Sequence, residues 1–74
     1  MRIIDAAALG EAVCARRKEL KYTQRFLSEV TGLSISFISD FERGKETIEI
    51  GKALFLIHTL GLDISLERRG EGND

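Results

Sequence analysis

The most constraining feature of the chain is a pair of short helical segments that meet at a glycine, in TQRFLSEVTGLSISFISDFERG at residues 23–44. Thr23 is suited to begin the first helix, because a threonine hydroxyl accepts a hydrogen bond from an otherwise free backbone N–H. Gly32 can take the left-handed conformation that ends helices, and Ser34 is then a second N-cap. Gly44 ends the second segment. The spacing therefore predicts a helix, a turn of about four residues and another helix, which is a helix-turn-helix unit.

Amphipathic segments flank this unit on both sides. Asp5 can cap an N-terminal helix that ends near Lys21 and repeats apolar residues at helical spacing. Downstream of the unit, another amphipathic helix is closed by Gly61. The predicted apolar faces consist of Leu9, Val13 and Leu20 in the first helix, and of Ile50, Ala53, Leu54, Ile57 and Leu60 in the second.

The periodicity changes after this last helix. In LDISLER at residues 62–68, Leu62, Ile64 and Leu66 alternate with polar residues, which predicts a half-buried β-strand. The RII segment at residues 2–4 could form a second, very short strand. A lone strand leaves its backbone N–H and C=O groups unpaired. We therefore expect the C-terminal strand to pair with the same strand of a second copy, in an intersubunit sheet.

One domain accounts for the whole chain. Residues 1–69 are predicted to form a mainly α domain of four to five helices that ends in the dimerisation strand, followed by a flexible tail at 70–74. A 74-residue chain without a disulfide rarely gains a wide stability margin from one core, which favours a homodimer. No apolar run approaches the roughly 18 residues needed to span a bilayer, so we expect a cytoplasmic protein and no membrane partner.

The residue inventory argues against catalysis and metal binding. One cysteine and one histidine, without ligand spacing, make neither a metal site nor a Cys–His catalytic pair. The sequence has no Gly-rich phosphate loop, paired catalytic carboxylates or nucleophile motif. The net charge of −1 argues against a general polyanion binder, although residues 1–37 hold six Lys/Arg against four Asp/Glu. We expect a non-enzymatic binding module without metal or cofactor.

The second helix of the unit divides into two arcs on a helical wheel of about 100° per residue. Its apolar arc, which must face the core, consists of Phe37, Ile38 and Phe41. Its outward arc consists of Ile35, Ser36, Ser39, Asp40 and Arg43. Serine donates or accepts at either kind of base pair and so discriminates weakly, whereas an aspartate can accept from cytosine N4. A DNA site read by such an edge needs two copies of the helix and help from DNA shape.

The segment TQRFLSEVTGLSISFISDFERGK resembles the core of the lambda-repressor-like, or Xre, helix-turn-helix family. The wider frame, LGEAVCARRKEL before it and LFLIHTLGLDISL after it, is most similar to HipB-like antitoxins, and the resemblance covers residues 3–68. It implies a sequence-specific DNA-binding repressor whose helix at 34–43 enters the major groove. It also implies a homodimer on an inverted-repeat operator and autoregulation as the antitoxin of a HipA-like kinase toxin.

The resemblance assigns roles to particular residues. The base-facing or near-base positions are Ser34, Ile35, Ser36, Ser39 and Asp40. The positions that approach the phosphates, at the start of one helix and past the end of the next, are Thr23, Gln24, Arg43 and Lys45. A structural ion pair that ties the first helix to the recognition helix joins Arg17 and Glu42.

Several positions depart from the family pattern. Phe26 stands where relatives often have Glu or Gln, so half of a capping box is missing and an aromatic side chain is expected to be exposed. Lys21 replaces a common glycine, and Cys14 replaces a frequent basic residue. Two alternative functions therefore stay open: a free-standing or phage-type regulator, and a protein-interaction module that neutralises a partner without binding DNA.

Overall fold

Four α-helices make up the fold in the computed structural model, which describes residues 2–70. They are α1 (Ala6–Glu19), α2 (Gln24–Thr31), α3 (Ile35–Glu42) and α4 (Ile50–Thr59). The prediction of a mainly α domain is confirmed. Residues 2–70 contain four helices, the lower of the two numbers expected. Residues 71–74 of the predicted tail lie outside the described residues. No helix within 2–70 combines the length and apolar character needed to cross a membrane.

The helix boundaries follow from local capping. At each predicted N-cap, the side-chain oxygen accepts a hydrogen bond of 2.8–2.9 Å from the backbone N–H three residues on. These confirmed caps are Asp5, Thr23 and Ser34. Gly32 ends α2 at φ 78°, in the left-handed region. Lys21, where a glycine is common, also has a positive φ of 63°, so the turn between α1 and α2 keeps the left-handed geometry without glycine.

The core lies between the four helices, and α3 is its central element because it packs against both α1 and α2. The buried apolar residues are Val13, Leu27, Leu33, Ile38, Phe41, Ala53, Leu56, Ile57 and Leu60. The predicted inward arc of α3 is confirmed, with Phe37 packed at the edge of this core. The placement of Ile50 on the buried face of α4 was wrong. Ile50 is exposed, because α4 begins at this residue, beyond the edge of the core.

Gly10 permits a direct backbone contact between α1 and α3. A Cβ atom on Gly10 would overlap the carbonyl oxygen of Phe41 and would lie 2.8 Å from the carbonyl oxygen of Glu42. No side chain fits there, so the last turn of α3 rests on the backbone of α1. In the sequence, this glycine indicated only a slightly weakened helix.

Within residues 2–70 the single chain contains no β-strand. The two segments predicted as strands, residues 2–4 and 62–68, run without ladder pairing, and residues 2–4 and 62–67 both line a groove of about 710 Å³. Leu62 packs against the core, whereas Ile64 is exposed and Leu66 is 94% exposed. A strand is defined by its pairing partner, so the C-terminal strand and the intersubunit sheet stay predictions.

We predict that Gly10→Ala destabilises the domain by about 1–3 kcal/mol, although alanine is the better helix former, because its methyl group would force α3 away from α1. Gly51→Ala is the matched control: a Cβ atom there meets nothing within 4 Å. That variant should gain about 0.5–1 kcal/mol from reduced backbone entropy. Chemical denaturation of both variants measures the difference. A Gly10→Ala domain as stable as Gly51→Ala would show that the two helices do not meet there.

Candidate nucleic-acid interface

A buried ion pair joins α1 to the end of α3. Arg17 Nε donates to Glu42 Oε2 at 2.6 Å, and Arg17 Nη2 donates to Glu42 Oε1 at 2.9 Å. The two side chains are only 9% and 6% exposed. This parallel, two-bond geometry is the strongest form of the arginine–carboxylate contact. The orientation of α3 on α1 therefore depends on a directional contact as well as on apolar packing.

The same pair extends to α2 and to the turn before it. Gln24 Nε2 donates to Glu42 Oε1 at 3.0 Å, and Arg17 Nη1 donates to the backbone oxygen of Tyr22 at 2.8 Å. The Cys14 sulfur lies 3.7 Å from Arg17 Nη2. No buried side-chain nitrogen or oxygen atom in residues 2–70 is left without a partner. The arrangement links three helices through one satisfied polar network.

The network shifts the pKa of both charged groups. Burial by itself raises the pKa of the Glu42 carboxyl, but hydrogen bonds from Arg17, Gln24 and Cys14 together lower it below its usual value. The hydrogen bond to Glu42 raises the pKa of the Arg17 guanidinium, against the opposing effect of its burial. Both groups therefore stay charged around neutral pH, and the pair is stable there.

The outward edge of α3 is polar and short-armed. Ile35 and Ser36 are exposed, and Ser39 and Asp40 are partly exposed beside them. Ser34 precedes them, and its hydroxyl oxygen already accepts the capping hydrogen bond from the backbone of Phe37. The structure thus places all five predicted base-facing residues on or next to one continuous edge.

The predicted phosphate-facing residues fall into two groups that adjoin each other. Thr23 and Gln24 begin α2, whereas Arg43 and Lys45 follow α3. The Gln24–Glu42 hydrogen bond brings the start of α2 next to the end of α3. One amide hydrogen of Gln24 is therefore used inside the protein, and its remaining donor and acceptor groups are available for another contact.

A charged cluster at the end of α3 had not been deduced from the sequence. Arg43 Nη2 lies 2.7 Å from Asp40 Oδ1, and Lys45 Nζ lies 3.6 Å from Asp40 Oδ2. Arg43 Nη1 also donates to the hydroxyl of Ser39. The spacing of three residues between Asp40 and Arg43 could have revealed the first pair, because residues three apart are neighbours on a helix.

Phe26 is exposed on α2, as the missing half of the capping box implied. Its ring packs against Tyr22, with the ring centroids 4.8 Å apart. Val30, one turn further along α2, is also exposed. The chain therefore carries a small apolar surface outside the edge of α3.

Capped short helices, a glycine turn and an outward polar edge on the second helix define a helix-turn-helix DNA-binding protein. The helix-turn-helix family model matches residues 15–66, and the chain belongs to this family. Its class is that of DNA-binding regulators and not of enzymes. An HTH-type transcriptional regulator of Sinorhizobium fredii, y4mF, is 41% identical over 70 residues, which cover 95% of this chain and 92% of that protein.

Solved structures of similar fold include two that contain HipB. The first is a HipB–O4 20mer complex and the second a HipA–HipB–O2–O3 complex. Each has a TM-score of 0.84 and 22% sequence identity, over 93% of this chain and 97% of the matched chain. At this identity the likeness establishes the fold. The resemblance to HipB inferred from the sequence frame is confirmed at that level.

We predict that Glu42→Ala lowers the free energy of unfolding by about 3–5 kcal/mol, because it leaves the Arg17 guanidinium buried without its partner. Glu29→Ala is the matched control. It removes a glutamate from a pair with Arg25 whose side chains are 65% and 82% exposed, and it should cost about 0–1 kcal/mol. Denaturant melts at pH 7 compare the two. Equal melts would mean that the Arg17–Glu42 pair contributes no more than an exposed one.

The parent protein and Glu42→Ala should respond differently to acid. The pKa of Glu42 is lowered by folding, so its contribution to stability is present above the unfolded pKa of about 4.3 and is lost as the pH falls through the folded value. The stability gap between the parent and Glu42→Ala should therefore narrow below about pH 4.3. A gap that stays constant down to pH 2 would contradict the ionic origin of the effect.

Proposed function

We propose that the protein is a sequence-specific transcriptional repressor that inserts α3 into the DNA major groove. The observation that carries the proposal is the polar edge of α3, presented by a helix that is capped by Ser34 and anchored by Glu42. A recognition helix needs such a rigid support, because base contacts depend on sub-ångström placement. In this mode of binding, Ser36 and Ser39 contact base edges, and Ile35 contacts a thymine methyl group.

Phosphate contacts hold the helix in register. Backbone N–H groups at the start of α2 bind anions, and Thr23 and Gln24 occupy that position. Arg43 and Lys45 approach the backbone past the end of α3. Such contacts carry no sequence code. They supply affinity, while the serine-edged helix and the deformability of the site supply selectivity.

The proposed unit is a homodimer joined through residues 62–66. Leu66 and Ile64 are exposed in the single chain, and residues 2–4 face the same groove. Pairing with the equivalent strand of a second copy would satisfy the backbone groups and cover these apolar side chains. A two-fold dimer places two recognition helices about 34–36 Å apart, so the operator is an inverted repeat. The binding free energies of the two helices, each weak alone, then add.

The proposed biological setting is autoregulation as the antitoxin of a HipA-like kinase toxin. It is supported by the fold shared with HipB, which occurs in solved structures with an O4 20mer and with HipA. A role as a protein-interaction module that neutralises a partner without DNA is the second candidate. The exposed Phe26 and the net charge of −1 favour it.

We expect Ser36→Glu to abolish operator binding while the fold is retained, because a new carboxylate in the groove is repelled by phosphates. Ala15→Glu adds the same charge at an exposed helical position outside α3 and should bind within about twofold of the parent. Gel shifts use the duplex enriched from random DNA by the parent protein. Parent-like affinity of Ser36→Glu would exclude α3 from the groove and would favour the protein-interaction candidate.

Truncation after Gly61 should produce a helical monomer that no longer binds the operator, because it removes the proposed dimer strand. Truncation after Gly70 is the control and should remain dimeric, since it retains residues 62–66. Light scattering measures the oligomeric state, and gel shifts measure binding. If the shorter chain still dimerises and binds with full affinity, the strand is not the interface.

A further inference from the structure

Asp40, on the outward edge of α3, pairs with two nearby cations, Arg43 and Lys45. Asp40 Oδ1 lies 2.7 Å from Arg43 Nη2, and Asp40 Oδ2 lies 3.6 Å from Lys45 Nζ. Each carboxylate oxygen thus faces a different cation. Ser39, also on the edge, accepts from the second terminal nitrogen of Arg43. In the free protein, two of the residues proposed to bind phosphate, Arg43 and Lys45, are therefore paired with the outward edge of α3.

The cations are more accessible than the acid that holds them. The Arg43 and Lys45 side chains are 69% and 52% exposed, compared with 29% for Asp40. Ion pairs this exposed contribute little to stability and exchange readily for another anion. A DNA phosphate is such an anion. Asp40 itself cannot move with Arg43 and Lys45 toward the phosphates, because it lies on α3, the helix proposed to occupy the groove.

We infer that Asp40 is a specificity-determining residue that withholds Arg43 and Lys45 from the phosphates until a base-edge donor takes their place. The donor of matching chemistry is the N4 amino group of cytosine, which a carboxylate accepts from in the major groove. The inference rests on the proposed function and deepens it, since it assigns one base preference and one electrostatic role to a single side chain.

The exchange of Asp40's cation partners for a base differs between the operator and unrelated DNA. Opposite a cytosine amino group, Asp40 gains a hydrogen bond, and both cations are free to bind phosphates. Opposite a base without that donor, the carboxylate either keeps its cations or faces the phosphates unpaired. The operator complex therefore makes up to two more phosphate contacts per subunit than a complex with unrelated DNA. Each contact changes the slope of log K against log salt by about 0.9.

The experiment measures the binding of Asp40→Asn to two duplexes over a range of salt concentrations. One duplex is the sequence enriched by the parent protein from random DNA, and the other is an unrelated sequence of equal length. Asp40→Asn should bind the unrelated duplex about tenfold more tightly at 0.1 M salt, with a slope steeper by up to about 1.8 per subunit, because two cations are released and each contact contributes about 0.9. Its affinity ratio between the two duplexes should fall at least as much.

Two control variants separate this role from a general charge effect. Asp40→Glu keeps the carboxylate and should keep the weak unrelated binding of the parent. Glu19→Gln makes the same charge change and releases Arg16 from a pair of the same spacing and the same 2.7 Å length, but away from α3. It should leave the salt slope unchanged. If Glu19→Gln matches Asp40→Asn, net charge alone explains the effect and the inference is overturned.

Enrichment from random DNA gives the second readout. The parent should enrich a cytosine at one position in each half-site, and Asp40→Asn should change that position toward adenine, the base that asparagine prefers. Unchanged enrichment together with an unchanged salt slope would overturn the role of Asp40 and leave the proposed function intact. If the parent enriches no sequence at all, the proposed function and this inference both fail.

Discussion

The contact between Arg17 and Glu42 is the interaction on which the geometry of α3 depends. Glu42 is the last residue of α3, Arg17 lies on α1, and Gln24 brings in the start of α2. Replacing a buried ion pair with apolar side chains often costs nothing in stability. Apolar packing tolerates small shifts and rotations, however, whereas a two-bond arginine–carboxylate contact defines direction as well as distance. The pair thus defines an orientation of α3 on α1 that the apolar side chains of the core do not specify.

Close backbone contact complements that directional pair. Gly10 lets the carbonyl groups at the end of α3 rest against α1, about two helical turns away from Arg17. The last turn of α3 is therefore held by a backbone contact and by an ion pair at once. Its first turn is held by the Ser34 cap. A helix of only eight residues, marginal on its own in water, becomes a rigid support for a row of short side chains.

In a weakly acidic DNA-binding protein, binding depends on where the charged side chains lie. The net charge of −1 gives no general attraction to phosphates, and the outward edge of α3 carries Asp40. Within the proposed mode of binding, this has an advantage: non-specific binding is mainly a phosphate effect, and it stays weak when Arg43 and Lys45 are paired with Asp40. Affinity then depends more on recognition of the site and on the pairing of two subunits.

Local signals in the sequence were sufficient for most of the fold and for the outline of the site. Asp5, Thr23 and Ser34 were recognisable as caps because capping depends on residues three apart, and the two arcs of α3 follow from helical periodicity alone. Contacts between distant segments were not recognisable in this way. The overlap that makes Gly10 necessary, the hydrogen bond that ties Gln24 to Glu42, and the exposure of Ile50 all depend on where helices cross and where the core ends. Residues 62–66 show the same limit. Their alternation identifies an apolar face, but a strand also requires a pairing partner, and residues 2–70 of one chain contain no paired strand. Side-chain periodicity is a property of a segment, whereas close approach and pairing are properties of two segments brought together in space.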